Sequence, residues 1–180
     1  VPGRTLHAFR CIPEGEVRAI VQLSHGMVEF IDRYKPLAED LAGRGILVTG
    51  HDHLGHGGSI RTKDDYGYFA EPDGNRAVLD DLHAMTTLTK HLYPGVPYFL
   101  LGHSMGSFYA RQYLCEYGAE LDGAILMGTG YQPKALVTLA RTVCRMLAVF
   151  FGWQHRSKLV RDLSFMGYNK GLEGRTPHDW

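Results

Sequence analysis

From Thr5 to Met127 the chain alternates between short apolar runs and stretches in which apolar residues recur every third or fourth position. These two periodicities separate buried strands from helices. Thr5 to Ile12 alternates in part and reads as a strand, Pro13-Glu14-Gly15-Glu16 is turn-like, and Val17 to Leu23 reads as a second strand. A hairpin of these two is the expected pairing. Within Arg33 to Ala42 the residues Leu37, Ala38, Leu41 and Ala42 fall on one helical face. Pro36 is tolerated in the first turn, Gly43 and Gly45 end the helix, and Ile46 to Thr49 resumes as a buried strand.

Arg76 to Leu92 is helical by the spacing of Val78, Leu79, Leu82, Met85 and Leu88, and Pro94-Gly95 stops it. The apolar run Val96 to Leu101 follows, then a helix over Ser107 to Tyr117 with Phe108, Leu114 and Tyr117 at helical spacing, then a strand over Gly123 to Met127. Alternating strands and helices predict an α/β fold, a mostly parallel sheet with right-handed crossovers and helices on both faces. After Gly128-Thr129-Gly130 the alternation stops. Pro133 to Phe151 reads as one long helix whose polar positions Lys134, Thr138, Arg141, Thr142 and Arg145 form a single stripe. Two arginines in its middle argue against a membrane span and for a helix that covers a pocket or packs on a core, although a basic stripe also admits transient contact with a membrane surface. The expected division is a core over 1–130 and the start of a helical cap over 131–180.

Residues 102 to 106 read Gly-His-Ser-Met-Gly between the strand-like run and the helix. G-x-S-x-G in that setting is a nucleophile elbow: the serine occupies a strained strand-to-helix turn with its hydroxyl exposed, and the glycines let strand and helix cross closely. Ser104 is therefore the candidate nucleophile. A serine hydroxyl needs a neighbouring base, and the oxyanion formed on attack needs backbone donors where charge develops. The N–H of Met105 is one expected donor, and the loop His25-Gly26-Met27 after an earlier strand supplies the other, assigned to Met27. His25 and Gly26 shape that loop, and with His103 they are the expected substrate-binding positions.

Composition narrows the partners. Lys+Arg and Asp+Glu are equal at 19 each, so charge points to no nucleic acid and leaves small neutral or amphiphilic substrates open. Cys11, Cys115 and Cys144 are odd in number, widely spaced and outside any C-x-x-C pattern, which fits a reducing compartment and a cytoplasmic setting. The opening Val1-Pro2-Gly3-Arg4 shows no signal-peptide pattern, and its lack of a methionine suggests that the true N-terminus is missing.

Several separated segments then carry a resemblance. Leu23-Ser24-His25-Gly26, Arg33-Tyr34 with Leu37-Ala38, His51-Asp52-His53-Leu54-Gly55-His56-Gly57-Gly58-Ser59 and Gly102-His103-Ser104-Met105-Gly106 follow one another in order and spacing. Across residues 19 to 130 the chain resembles the α/β-hydrolase superfamily, more narrowly the monoacylglycerol lipase and lysophospholipase group classed with serine aminopeptidase-like hydrolases. The resemblance implies an α/β-hydrolase fold, hydrolysis of an acyl ester of lipid-like type, no cofactor, and a mobile helical cap beginning near Pro133.

Three imidazoles and a carboxylate in His51, Asp52, His53 and His56 also pose a metal-site reading. The order does not meet the H-x-H-x-D-H pattern, and the alternative is a loop held by its own hydrogen bonds beside the active site. The acid and base of a triad should follow the serine in chain order. Asp122 precedes its strand, His155 and Asp162 follow the presumed cap helix, and His178-Asp179 has no strand before it. The expectation is a fragment ending inside the cap, about two strand–helix units of roughly 30 residues each short of the full fold, and inactive alone. A peptidase or small-ester hydrolase of the same fold, and a non-catalytic α/β-hydrolase-like binding protein, are the competing readings.

Overall fold

A computed structural model describes residues 5–164. The opening Val1 to Arg4 and the His178-Asp179 pair lie outside the described residues. Strands β1 (Ala8–Cys11), β2 (Ala19–Ser24), β3 (Ile46–His51), β4 (Tyr98–His103) and β5 (Gly123–Met127) form one sheet in the order β1-β3-β2-β4-β5. β3, β2, β4 and β5 are parallel, and β1 is antiparallel to β3. Helices α1 (Lys35–Ala42), α2 (Gly74–Leu92) and α3 (Met105–Tyr117) connect the parallel strands.

The expected β1–β2 hairpin does not form. β1 pairs instead with β3, Ala8 opposite His51 and Cys11 opposite Val48. β2 is buried from Ile20 onward and has β3 on one edge and β4 on the other, so no edge is left for β1. Continuous burial on both faces is what a central parallel strand requires.

Because successive strand residues face opposite sides, Leu100 and Leu101 enter different cores. Leu100 joins Val78, Leu79, Leu82, Met105, Tyr109, Ala110 and Tyr113 beneath α2 and α3, whereas Leu101 joins Val21, Leu23, Val48 and Ala38 beneath α1. Each fully buried Leu or Ile of this kind contributes about 1.5–3 kcal/mol over its exposed state.

The helix faces differ in detail from the sequence expectation. On α3 the buried stripe is Met105, Tyr109, Ala110 and Tyr113, while Phe108 and Leu114 are exposed. Small residues set that orientation. A Cβ on Gly102 would lie 2.8 Å from Ala110 Cβ and 2.5 Å from Gly106 O, so the helix turns its smallest residues to the strand. On α2, Leu88 is exposed and Thr86 and Thr89 are buried. Thr86 Oγ1 donates to Gln22 Oε1 (2.8 Å), which also accepts from Tyr98 Oη (2.5 Å), so a buried glutamine on β2 draws a polar residue inward. On α1 Ala38 is buried and Leu37 is exposed.

The chain divides into two compact units, the first ending at Thr129 and the second beginning at Gly130. The second unit contains α4 (Lys134–Phe151) and α5 (Lys158–Ser164). In the polar stripe of α4, Thr138 and Thr142 turn their hydroxyls to the carbonyls four residues back, at 2.8 and 2.9 Å. Among the described residues no helix is long and apolar enough to cross a membrane.

Candidate active site

Ser104 stands between the last residue of β4 and the first of α3, with φ 51° and ψ −117°. A side-chain-bearing residue seldom adopts positive φ, and three backbone contacts hold this one. Its N–H donates to Met127 O (2.9 Å), and its carbonyl accepts from the Ser107 N–H (2.9 Å) and the Ser107 hydroxyl (2.6 Å). The flanking glycines are steric necessities. A Cβ on Gly106 would collide with the Ser24 carbonyl oxygen and lie 2.6 Å from His25 O. Met105, one residue into the helix, has an N–H with no carbonyl four residues back inside the helix to take it.

The loop after β2 lies against this turn. A Cβ on Gly26 would be 3.1 Å from Ser104 Cβ and 2.6 Å from Glu29 Oε1. Gly26 is pinned through both of its backbone groups: its N–H donates to Glu29 Oε1 and its carbonyl accepts from His25 Nδ1–H (2.7 Å). His25 Nε2 in turn accepts the His53 N–H (2.9 Å). A ring that donates at Nδ1 and accepts at Nε2 is neutral, and burial pulls the His25 pKa down to about 4. Met27 follows, half exposed, and Val28 has φ 62°.

Glu29 is a buried hub that the sequence pattern does not single out. Besides the Gly26 N–H, its Oε1 accepts from Tyr34 Oη (2.9 Å) and His103 Nδ1 (2.9 Å), and Arg33 Nη1 stands 3.6 Å from Oε2. Burial pushes the carboxyl upward, but the hydrogen bonds from His103, Gly26 and Tyr34 outweigh it and hold its pKa below the usual range. His103 is thus joined to the β2 loop at the residue preceding the nucleophile. The one signal in the chain is a carboxylate enclosed by Val28 and Phe30 directly after His25-Gly26-Met27.

The His51 to Ser59 segment supports its neighbours through hydrogen bonds. Asp52 Oδ1 accepts the Ile31 N–H (2.6 Å), Oδ2 accepts the Gly58 N–H (2.8 Å), and its carbonyl accepts the Ser59 hydroxyl (2.7 Å). His53 Nε2 meets Ser24 Oγ at 3.2 Å, and Gly55 and Gly57 have φ 71° and 48°. Asp52 and His56 are turned to separate partners, whereas both ring nitrogens of His51 and Nδ1 of His53 are buried with none. Among the described residues no three His, Cys, Asp or Glu side chains are grouped to hold a metal ion. Burial lowers the His51 pKa to about 4 and those of His53 and His56 in the same direction.

Of the positions expected from the sequence, Ser104, Met105, His103, His25 and Gly26 come together at the C-terminal ends of β2 and β4, with Met27 next in the loop. Asp122 lies at the opposite end, where Oδ2 accepts the Tyr98 N–H (2.7 Å) and secures the start of β4. His155 belongs to the second unit, stacked on Phe151 at 4.9 Å, and Asp162 lies in α5.

Comparison with known proteins bears on this geometry. The family model described as "Serine aminopeptidase, S33" matches residues 15–173. A monoglyceride lipase homolog of monkeypox virus is 42% identical over 133 residues, covering 72% of this chain and 45% of its own length. Human monoglyceride lipase is 36% identical over 122 residues, covering 64% of this chain and 36% of its own. The chain thus spans less than half the length of either curated relative. Among solved structures, a highly thermostable carboxyl esterase from Bacillus coagulans, in complex with glycerol, superposes with a TM-score of 0.83 at 29% identity, covering 99% of this chain and 57% of that one.

Proposed function

The chain belongs to the serine aminopeptidase S33 family of α/β-hydrolases, and on that premise we propose that the whole protein hydrolyses acyl esters of monoacylglycerol or lysophospholipid type with Ser104 as nucleophile. The observation that carries this reading is the left-handed Ser104 at the β4–α3 junction with the Gly26 loop packed against it. Similarity to two monoglyceride lipases supports the substrate class.

In this reading Ser104 Oγ bonds to the ester carbonyl carbon while its proton passes to a general base. The carbonyl oxygen becomes an oxyanion that accepts hydrogen bonds from the Met27 and Met105 N–H groups. Collapse breaks the bond to the alcohol, which leaves with the proton, and water then releases the acid from Ser104 by the same steps. The base in this reading is a histidine of the whole protein outside these 180 residues; His25 is buried with both ring nitrogens engaged. Gly26 of the loop and His103 at the end of β4 stand on the substrate side in this reading, and the buried His25 shapes the loop from behind. In this reading the second unit is the start of a helical cap, and the apolar positions of α4 favour an acyl-chain substrate. The free thiols of Cys11, Cys115 and Cys144 support a reducing, cytoplasmic setting.

A second reading, a peptidase or small-ester hydrolase, is favoured by the family description and by the esterase neighbour. Turnover of long-chain monoacylglycerol, lysophospholipid, short acyl esters and aminopeptidase substrates by the whole protein separates the two. The lipid reading requires the highest kcat/KM on a lipid monoester. Ser104→Ala should remove at least about 10⁴-fold of that activity together with labelling by a covalent serine probe. Undiminished turnover in Ser104→Ala would overturn the assignment.

A further inference from the structure

Two residues other than glycine have positive φ among the described residues, Ser104 and Val28. The first is explained by the elbow. Val28, at φ 62°, is the less expected, because a β-branched residue in the left-handed region is an outlier that persists only where its surroundings impose it. Its left-handed backbone reverses the chain after Met27 and returns the Glu29 side chain to Gly26, three residues earlier, whose N–H it accepts. The same Oε1 accepts from Tyr34 Oη and His103 Nδ1, so the turn is tied to the strand end that presents Ser104. A carboxylate accepting several donors forms stronger hydrogen bonds than a neutral group.

We propose that Val28 and Glu29 are a coupled positioning pair: Glu29 clamps the turn closed, Val28 is strained by the closure, and the closed turn sets the Met27 N–H at the oxyanion position. This rests on the reading of Ser104 and Met27 given above. Neither residue is assigned a bond to the reacting atoms. Their effect is on transition-state stabilisation through Met27, so kcat moves and KM does not. Loss of the clamp lets the strain open the turn, and removal of the strain makes the clamp less necessary.

The test is a double-mutant cycle in the whole protein with Glu29→Gln, Val28→Gly and the pair, read by monoacylglycerol turnover and by urea unfolding. Glu29→Gln should lower kcat about tenfold at little change in KM, the size set by the strain of one left-handed residue. Val28→Gly should restore most of that loss in the Gln background and raise kcat far less in the parent. In unfolding, Val28→Gly should stabilise the parent more than it stabilises Glu29→Gln, because the clamp is what imposes the strain. The same factor in both backgrounds, a double variant no faster than Glu29→Gln, or destabilisation of the parent by Val28→Gly would each overturn the coupling. If the parent and Ser104→Ala turn over monoacylglycerol equally, the functional reading falls while the unfolding cycle still decides the coupling.

Discussion

The turns after β2 and β4 lie side by side, and each contains one side-chain-bearing residue in the left-handed region, yet they are held by different means. Ser104 is fixed by the main chain of Met127 and by Ser107, and is given clearance by Gly102 and Gly106. Val28 is fixed by a side chain, the Glu29 carboxylate on the Gly26 N–H, with a buried neutral His25 donating to the Gly26 carbonyl. Strain held by backbone resists most substitutions except at the glycines. Strain held by ionisable side chains is open to charge, pH and single mutations.

A steric substitution should separate the two turns most strongly. Gly106→Ala sets a Cβ against the Ser24 carbonyl, which is strand backbone and cannot yield, and should cost at least about 3 kcal/mol or prevent folding. Gly26→Ala meets the end of the Glu29 side chain first and should cost about 1–2 kcal/mol in urea unfolding. Equal costs would show that the two turns are held alike.

Acid should act on the β2 turn and the end of β3 and spare the elbow. His25 and His51 are buried neutral, with pKa values lowered from 6.5 to about 4. Between those values the unfolded chain binds more protons than the folded one, so stability is full above pH 6.5 and falls as pH drops toward 4. The loss should be on the order of 3 kcal/mol for each of the two histidines by about pH 4. A flat unfolding midpoint between neutrality and that acid limit would contradict it. The mildest change is at the elbow itself: Ser107→Ala removes one of two donors to the Ser104 carbonyl and should lower stability by about 1 kcal/mol, read from the urea midpoint.

The same contrast explains what was legible in the chain. The elbow is local: an apolar strand, a glycine-spaced serine and a helix are adjacent in sequence, and the steric need for Gly102 and Gly106 is written in residue type. The parallel strands showed themselves by continuous apolar runs. The partner of β1 did not, because pairing depends on which strand edges remain free once β3 and β4 flank β2. Nor did the buried face of α3, which is chosen by the small Gly106 and Ala110 and not by the large Phe108 and Leu114. Glu29 stayed hidden because its donors come from residues 26, 34 and 103, and only the folded sheet brings them to one oxygen.

One hydrogen bond has a bearing on timing. The acceptor of the Ser104 amide is the last residue of β5, which leaves the ribosome roughly twenty residues after the serine; at about 5–20 residues per second that is an interval of roughly one to a few seconds. Until then the Ser104 amide lacks its acceptor, so the positive-φ turn is made with one of its holding contacts still to be synthesised.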